Sequence, residues 1–141
     1  MIVLDTTVLV YAVGGEHQFR EPCRRLVAAV AARAIVARTT VEVLQEFVHV
    51  RSQRRDRADA VARGRSYLNL FGPLLVSDEA NLVDALAIFQ SNPTVGMFDA
   101  LLASVAIATG APLVSADRGF GSIPGLEHLR PTDETVSALG A

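Results

Sequence analysis

At 141 residues, half of them hydrophobic, the chain has the size of one ordinary domain and enough apolar mass for a core, so a single domain over residues 1–141 is expected. Its net charge of −2 hides an uneven distribution: all 13 basic residues are arginine, and setting four of the 15 acids aside in one site leaves the remainder at +2, which suits an acidic substrate. The absence of lysine excludes a phosphate-cradling Walker loop, which needs that point charge, and disfavours phosphoaspartate enzymes that set a lysine beside the phosphoryl group.

Residues 2–5 are an apolar run ending in an acid, the pattern of a strand buried on both faces of a parallel sheet. Residues 6–13 follow as a short helix ended by Gly14-Gly15. Residues 17–32 read as a second helix that tolerates Pro22 near its start and turns Leu26, Val27 and Val30 inward. Cys23 lies within it; as the sole cysteine it can form neither an intrachain disulfide nor a cysteine cage for zinc, a usage that fits a cytoplasmic protein. Residues 34–37 are the next expected strand. Thr39 or Thr40 can cap a helix reaching about Gln53, and a further helix is expected over residues 56–70.

Residues 74–76 are a strand candidate. Ser77 opens the next helix through a capping pattern of Ser, Asp and Glu ahead of the apolar run at 82–89, which Asn92-Pro93 stops. Residues 98–109 are alanine-rich with Leu101, Leu102 and Val105 at helical spacing; Gly110 and Pro112 end them, and 113–115 form a strand. Strands alternating with helices predict an α/β protein, a three-layer α/β/α arrangement around a central, mainly parallel sheet. The longest apolar stretches are interrupted by Arg33 and by Gly110 and Pro112, so no membrane span is expected, and the opening Met1-Ile2-Val3-Leu4-Asp5 does not read as a secretory signal.

In an open parallel sheet, reactive groups collect beyond the carboxyl ends of the strands. Asp5 and Asp117 each follow an apolar strand at that edge, and Asp99 stands in the first turn of a helix, at the positive end of its dipole. Glu46 lies mid-helix on a face shared with Glu42 and His49, away from the apolar contacts of Leu44, Phe47 and Val48. Singly, each acid has an ordinary structural reading: a turn residue for Asp5, a helix-start charge for Asp99, a cap for Asp117, a solvated helix residue for Glu46. Together, four carboxylates repel one another, and such a cluster persists when a divalent cation neutralises it; oxygen ligands favour Mg²⁺ or Mn²⁺. That chemistry predicts phosphodiester hydrolysis to a 5′-phosphate and a 3′-hydroxyl.

The local wording narrows these readings. Asp5-Thr6-Thr7-Val8-Leu9-Val10-Tyr11 resembles the opening motif of PIN-domain proteins, and Val43-Leu44-Gln45-Glu46-Phe47 resembles their helical glutamate motif. Phe98-Asp99-Ala100-Leu101-Leu102-Ala103 is similar to their third motif, and Leu113-Val114-Ser115-Ala116-Asp117-Arg118-Gly119-Phe120 to their fourth. The order, intervals and length are those of VapC-like toxins, the ribonuclease halves of bacterial toxin and antitoxin pairs. The resemblance implies that Asp5, Glu46, Asp99 and Asp117 are the catalytic, metal-binding acids, with Thr7 and Ser115 as hydroxyls that orient Asp5 or bound water. It implies a Mg²⁺ or Mn²⁺ dependent endoribonuclease held inactive in the cytoplasm by a cognate antitoxin, and a homodimer. Some members carry a further acid where this chain has Gly119.

Six arginines fall between Arg51 and Arg65, and Arg51, Arg54, Arg55 and Arg57 are candidate RNA contacts; the alternative is a solvated helix face paired with Asp56 and Asp59. Two rival functions remain: a PIN-like domain that binds RNA or protein without cutting, and a metal-dependent phosphatase, which the lack of lysine and of a second Asp two residues after Asp5 disfavours.

Overall fold

Strand β1 (Ile2–Leu4) is buried throughout and forms the centre of the molecule in the computed structural model, which describes residues 1–141. A residue run with no polar side chain can only sit between two covered faces, and β1 is flanked in the sheet by β2 (Ala37–Arg38) and β3 (Leu113–Val114), with β4 (His128–Leu129) outside β3. All pairings are parallel, in the order β2-β1-β3-β4, with Val3 opposite Arg38 on one side and Leu113 on the other. Seven helices flank this sheet as a three-layer α/β/α sandwich.

Between β1 and β2 run α1 (Thr6–Val13) and α2 (Arg20–Ala31), which pack on each other. The second helix begins three residues later than its sequence suggests. His17 explains the delay: its ring stacks on Tyr11 at 4.0 Å, and its Nδ1 accepts the Phe19 amide, a local bond that competes with helix formation. At the other end Arg33 takes a left-handed conformation (φ 60°) and the amides of Ala34 and Ile35 bond to the Ala29 carbonyl. The chain is therefore still turning at Ile35, and the strand expected over 34–37 forms instead at Ala37–Arg38.

After β2 comes α3 (Val41–Arg54), capped by Thr40, then α4 (Arg57–Phe71), capped by Asp56. The strand expected at 74–76 reduces to one parallel bridge, Thr40 to Leu75, closed by the Leu75 amide on the Thr39 carbonyl at 2.9 Å. Helix α5 (Glu79–Ser91) is capped by Asp78 in a reciprocal box with Asn81, whereas Ser77, expected to open it, donates to Glu42 instead. Helix α6 (Met97–Thr109) packs along α5 and ends at left-handed Gly110, where φ is 68°. Past β3 a short 3₁₀ turn (Arg118–Ser122) precedes β4, and α7 (Asp133–Ala138) closes back on α2. No helix is long and apolar enough to cross a membrane.

The sheet order places β2 on one side of β1 and β3 on the other, so the winding direction reverses between β1 and β3. That reversal opens a crevice at the carboxyl ends of these two strands.

Candidate active site

Register builds this crevice. Because Leu4 lies opposite Val114, the next residues, Asp5 and Ser115, face each other just beyond the strand ends, with the Asp5 amide on the Val114 carbonyl at 3.1 Å. Asp5 is buried, yet its Oδ2 accepts the Ser115 hydroxyl at 2.6 Å, the Thr7 hydroxyl at 2.8 Å and the Thr7 amide at 3.3 Å. All three bonds fall on one oxygen, which leaves Oδ1 for the crevice. The two hydroxyls also accept: Thr7 Oγ1 takes the Ala116 amide and Ser115 Oγ takes the Asp117 amide, each at 3.0 Å. Thr7 and Ser115 thus tie the start of α1 to the loop after β3, and they fix both Asp5 and Asp117. Asp5 caps α1 as well, so the turn reading of this residue describes its backbone while its free oxygen serves the crevice.

Asp117 is exposed and caps the 3₁₀ turn, accepting the Gly119 amide at 2.8 Å. A Cβ at Gly119 would stand 3.2 Å from Asp117 Oδ1, so the position that holds an acid in some PIN-domain sequences is here too close to carry one without shifting Asp117. Asp99 lies in the first turn of α6. Its carboxyl is pushed up from an ordinary value of 3.8 to about 7, first by burial and then by the negative charges of Asp5, Asp117 and Glu46. Glu46 projects from the middle of α3 and is also raised, by burial and by Asp5, while His49 one turn further on pulls it back. Asp5, Glu46 and Asp117 thus all lie close enough to Asp99 to act on its charge.

Thr6 was not singled out by its sequence, although it stands directly after Asp5. Its hydroxyl is buried without a hydrogen-bond partner. An orphaned buried hydroxyl beside oxygen ligands is a place for bound water or an ion to be satisfied. The donor set therefore fits a hard cation. As the side chains stand, no three ligand-type groups close into a tight cage. Mg²⁺ requires none, since it retains several waters and takes few carboxylates directly.

Glu42 accepts from Ser77 at 3.1 Å and lines the crevice beside Glu46, and His49 is exposed on the same face. The arginine segment divides. Arg51 is buried, with Nε on Asp59 at 2.5 Å and a further bond to the Val13 carbonyl, so its candidacy as an RNA contact is corrected: it holds α3, α4 and α1 together. Arg54, Arg55 and Arg57 are exposed, and no ion pair engages them.

An acid-edged crevice at the switch point of a parallel α/β/α sandwich is where this class of fold places its ligand, and the oxygen donors gathered there suit a hard cation. The PIN domain model matches residues 2–126, and the chain belongs to the PIN-domain family. It is 52% identical to Ribonuclease VapC7 of Mycobacterium tuberculosis, with 99% of each chain covered. Its backbone is similar to that of VapBC2 from Rickettsia felis, solved bound to a promoter DNA fragment, at a TM-score of 0.72 and 20% identity over 92% of this chain and 98% of that one. A toxin-antitoxin complex from Klebsiella pneumoniae gives a TM-score of 0.69 at 17% identity, over 93% and 98%. At those identities the two structures speak for the fold alone.

Proposed function

We propose that the chain is a ribonuclease that cuts RNA phosphodiester bonds at Asp5, Glu46, Asp99 and Asp117, the toxic half of a cytoplasmic toxin-antitoxin pair. The observation that carries this reading is the crevice at the switch point, where Asp5, Glu46 and Asp99 line one pocket and burial, with the charges of Asp5, Asp117 and Glu46, raises the Asp99 carboxyl to about 7; the full-length 52% identity to a named ribonuclease supports the substrate. A cognate antitoxin is the expected partner, and a homodimer the expected state. Asp5, Glu46, Asp99 and Asp117 would hold Mg²⁺ or Mn²⁺, which when bound makes water more acidic and offsets charge developing on the phosphate. Thr7 and Ser115 keep Asp5 turned so that only Oδ1 is presented.

Cleavage of a mixed RNA pool should require added Mg²⁺ or Mn²⁺ and stop in excess chelator, and sequenced ends should carry 5′-phosphates. Undiminished cleavage in chelator, or hydrolysis of a phosphomonoester in place of RNA, would sink the reading. Replacing Arg54, Arg55 and Arg57 together by Ala should weaken RNA binding and flatten its dependence on salt by up to about three units of slope. Arg51→Met should leave that slope unchanged. Equal slopes for the triple variant and the unsubstituted protein would reduce these arginines to a solvated face.

A further inference from the structure

The crevice does not end at the four acids. Beside Glu46 and Asp99 it opens into a cavity of about 540 Å³, lined further by Gln45, His49, Gly96 and Phe98. That volume lies in the range of roughly 300–1,000 Å³ typical of small-molecule pockets. Phe98 is 74% exposed although it lies in the first turn of α6, whose next residue, Asp99, lines the site. Its ring lines both this cavity and the narrower pocket that holds Asp5, Glu46 and Asp99. Gln45 and His49 come from α3 one turn apart, on the side that carries Glu46 between them. Together the cavity presents a flat apolar face, an amide with donors and an acceptor, and an imidazole.

We propose that this cavity is a nucleobase subsite. Resting on the ribonuclease reading, it assigns to Phe98 the stacking of one unpaired base next to the phosphate held at the acids, with the base edge turned toward Gln45 and His49. An aromatic ring left in water beside a site for a polyanion is suited to that task, since every base offers a π face and stacking tolerates sequence. The amide and imidazole then discriminate among edges. The substrate is consequently single-stranded at this nucleotide, because a paired base could not leave its helix to reach the ring without breaking its pair.

The test uses the full-length protein and short single-stranded RNAs carrying 2-aminopurine at successive positions around the cut. Binding is followed in an Asp117→Asn background, which removes an acid outside this cavity, and cleavage is followed without that change. One 2-aminopurine position should be quenched on binding. Phe98→Ala should abolish that quenching and raise KM about tenfold with kcat nearly unchanged, as expected for loss of a stacking contact. Phe98→Trp should restore both, and Phe98→Leu should restore neither. Melting temperature should be unaltered, given the exposure of the ring. The proposal is overturned if no position is quenched, if Phe98→Leu binds like the unsubstituted protein, or if Phe98→Ala converts a dimer to a monomer and so marks the ring as an interface residue. RNA left uncut by the unsubstituted protein with Mg²⁺ would instead defeat the ribonuclease reading on which the subsite rests.

Discussion

Replacing Asp99 by Asn should cut RNA hydrolysis by at least about a hundredfold, more than is usual for a group outside the ligand set, while the fold survives and the metal-free protein melts at the same temperature or a few degrees higher. The reason lies in the charge Asp99 must carry beside Asp5, Asp117 and Glu46. In the unfolded chain it ionises near 3.8, in the folded one near 7, so between those values the native state holds a proton that the unfolded state has released. Stability of the metal-free protein therefore falls as pH rises from about 4 to about 7 and levels off above. Three units correspond to roughly 4 kcal/mol, which partial exposure and screening reduce to something on the order of 1 kcal/mol. Glu46, raised in the same direction, adds to the decline, while Asp59, held low by Arg51, opposes it only at the acid end. Asn removes the Asp99 contribution and should flatten the profile. With saturating Mg²⁺ the order reverses, because the intact site binds the ion more tightly and binding stabilises the folded state by mass action. Melting curves across pH, with and without Mg²⁺, decide the matter. A variant that is markedly less stable without metal and gains as much from Mg²⁺ would make Asp99 a helix-start residue and no more.

Phe47→Ala should be the most destabilising single change in α3, at about 3–5 kcal/mol, a large part of the stability of an ordinary domain. Phe47 has no exposed surface, and its ring meets Tyr67 edge-on at 4.8 Å, joining α3 to α4. Tyr67 cannot easily shift to fill the void, because its hydroxyl donates to the Leu9 carbonyl at 2.9 Å and ties α4 to α1. Urea unfolding should show a lower midpoint with an unchanged slope. Since Glu46 is the adjacent residue on the same helix, activity near the midpoint should be lost together with structure. A cost under about 1 kcal/mol would mean that the helices close over the gap and that Phe47 does not fix the position of Glu46.

The parts of this fold that announce themselves in the sequence are those decided locally. The apolar run ending in Asp5, the Thr40 cap and the Gly110 stop each carry their own chemistry, and each stands where that chemistry puts it. Strands β2 and β4 are two residues long and exist only through their neighbours, so periodicity has nothing to register; β4 and α7 had no expectation at all. The bridge at Leu75 is a further case of pairing set by tertiary structure. Within the site, Asp5, Asp99 and Asp117 stood out as candidates at strand and helix ends, and Glu46, Thr7 and Ser115 through the motifs around them. Burial was not legible. Nothing in the spacing of Arg51 from Arg54, Arg55 and Arg57 distinguishes the one arginine that turns inward to Asp59, and the orphaned Thr6 hydroxyl emerges only once α1 and α3 are packed together.

The bond from Ser115 to Asp5 joins residues 110 positions apart, and β1 lacks its β3 partner until that bond can form. A ribosome adding roughly 5–20 residues each second needs some 5–20 s to travel from one to the other. During that interval the nascent chain holds its first acids without the strand that orients them. The crevice closes only near the end of synthesis, when the segment from Leu113 onward docks beside the first strand. A chain terminated before that segment carries Asp5, Glu46 and Asp99 but lacks both Asp117 and the hydroxyl of Ser115 that holds Asp5 in place.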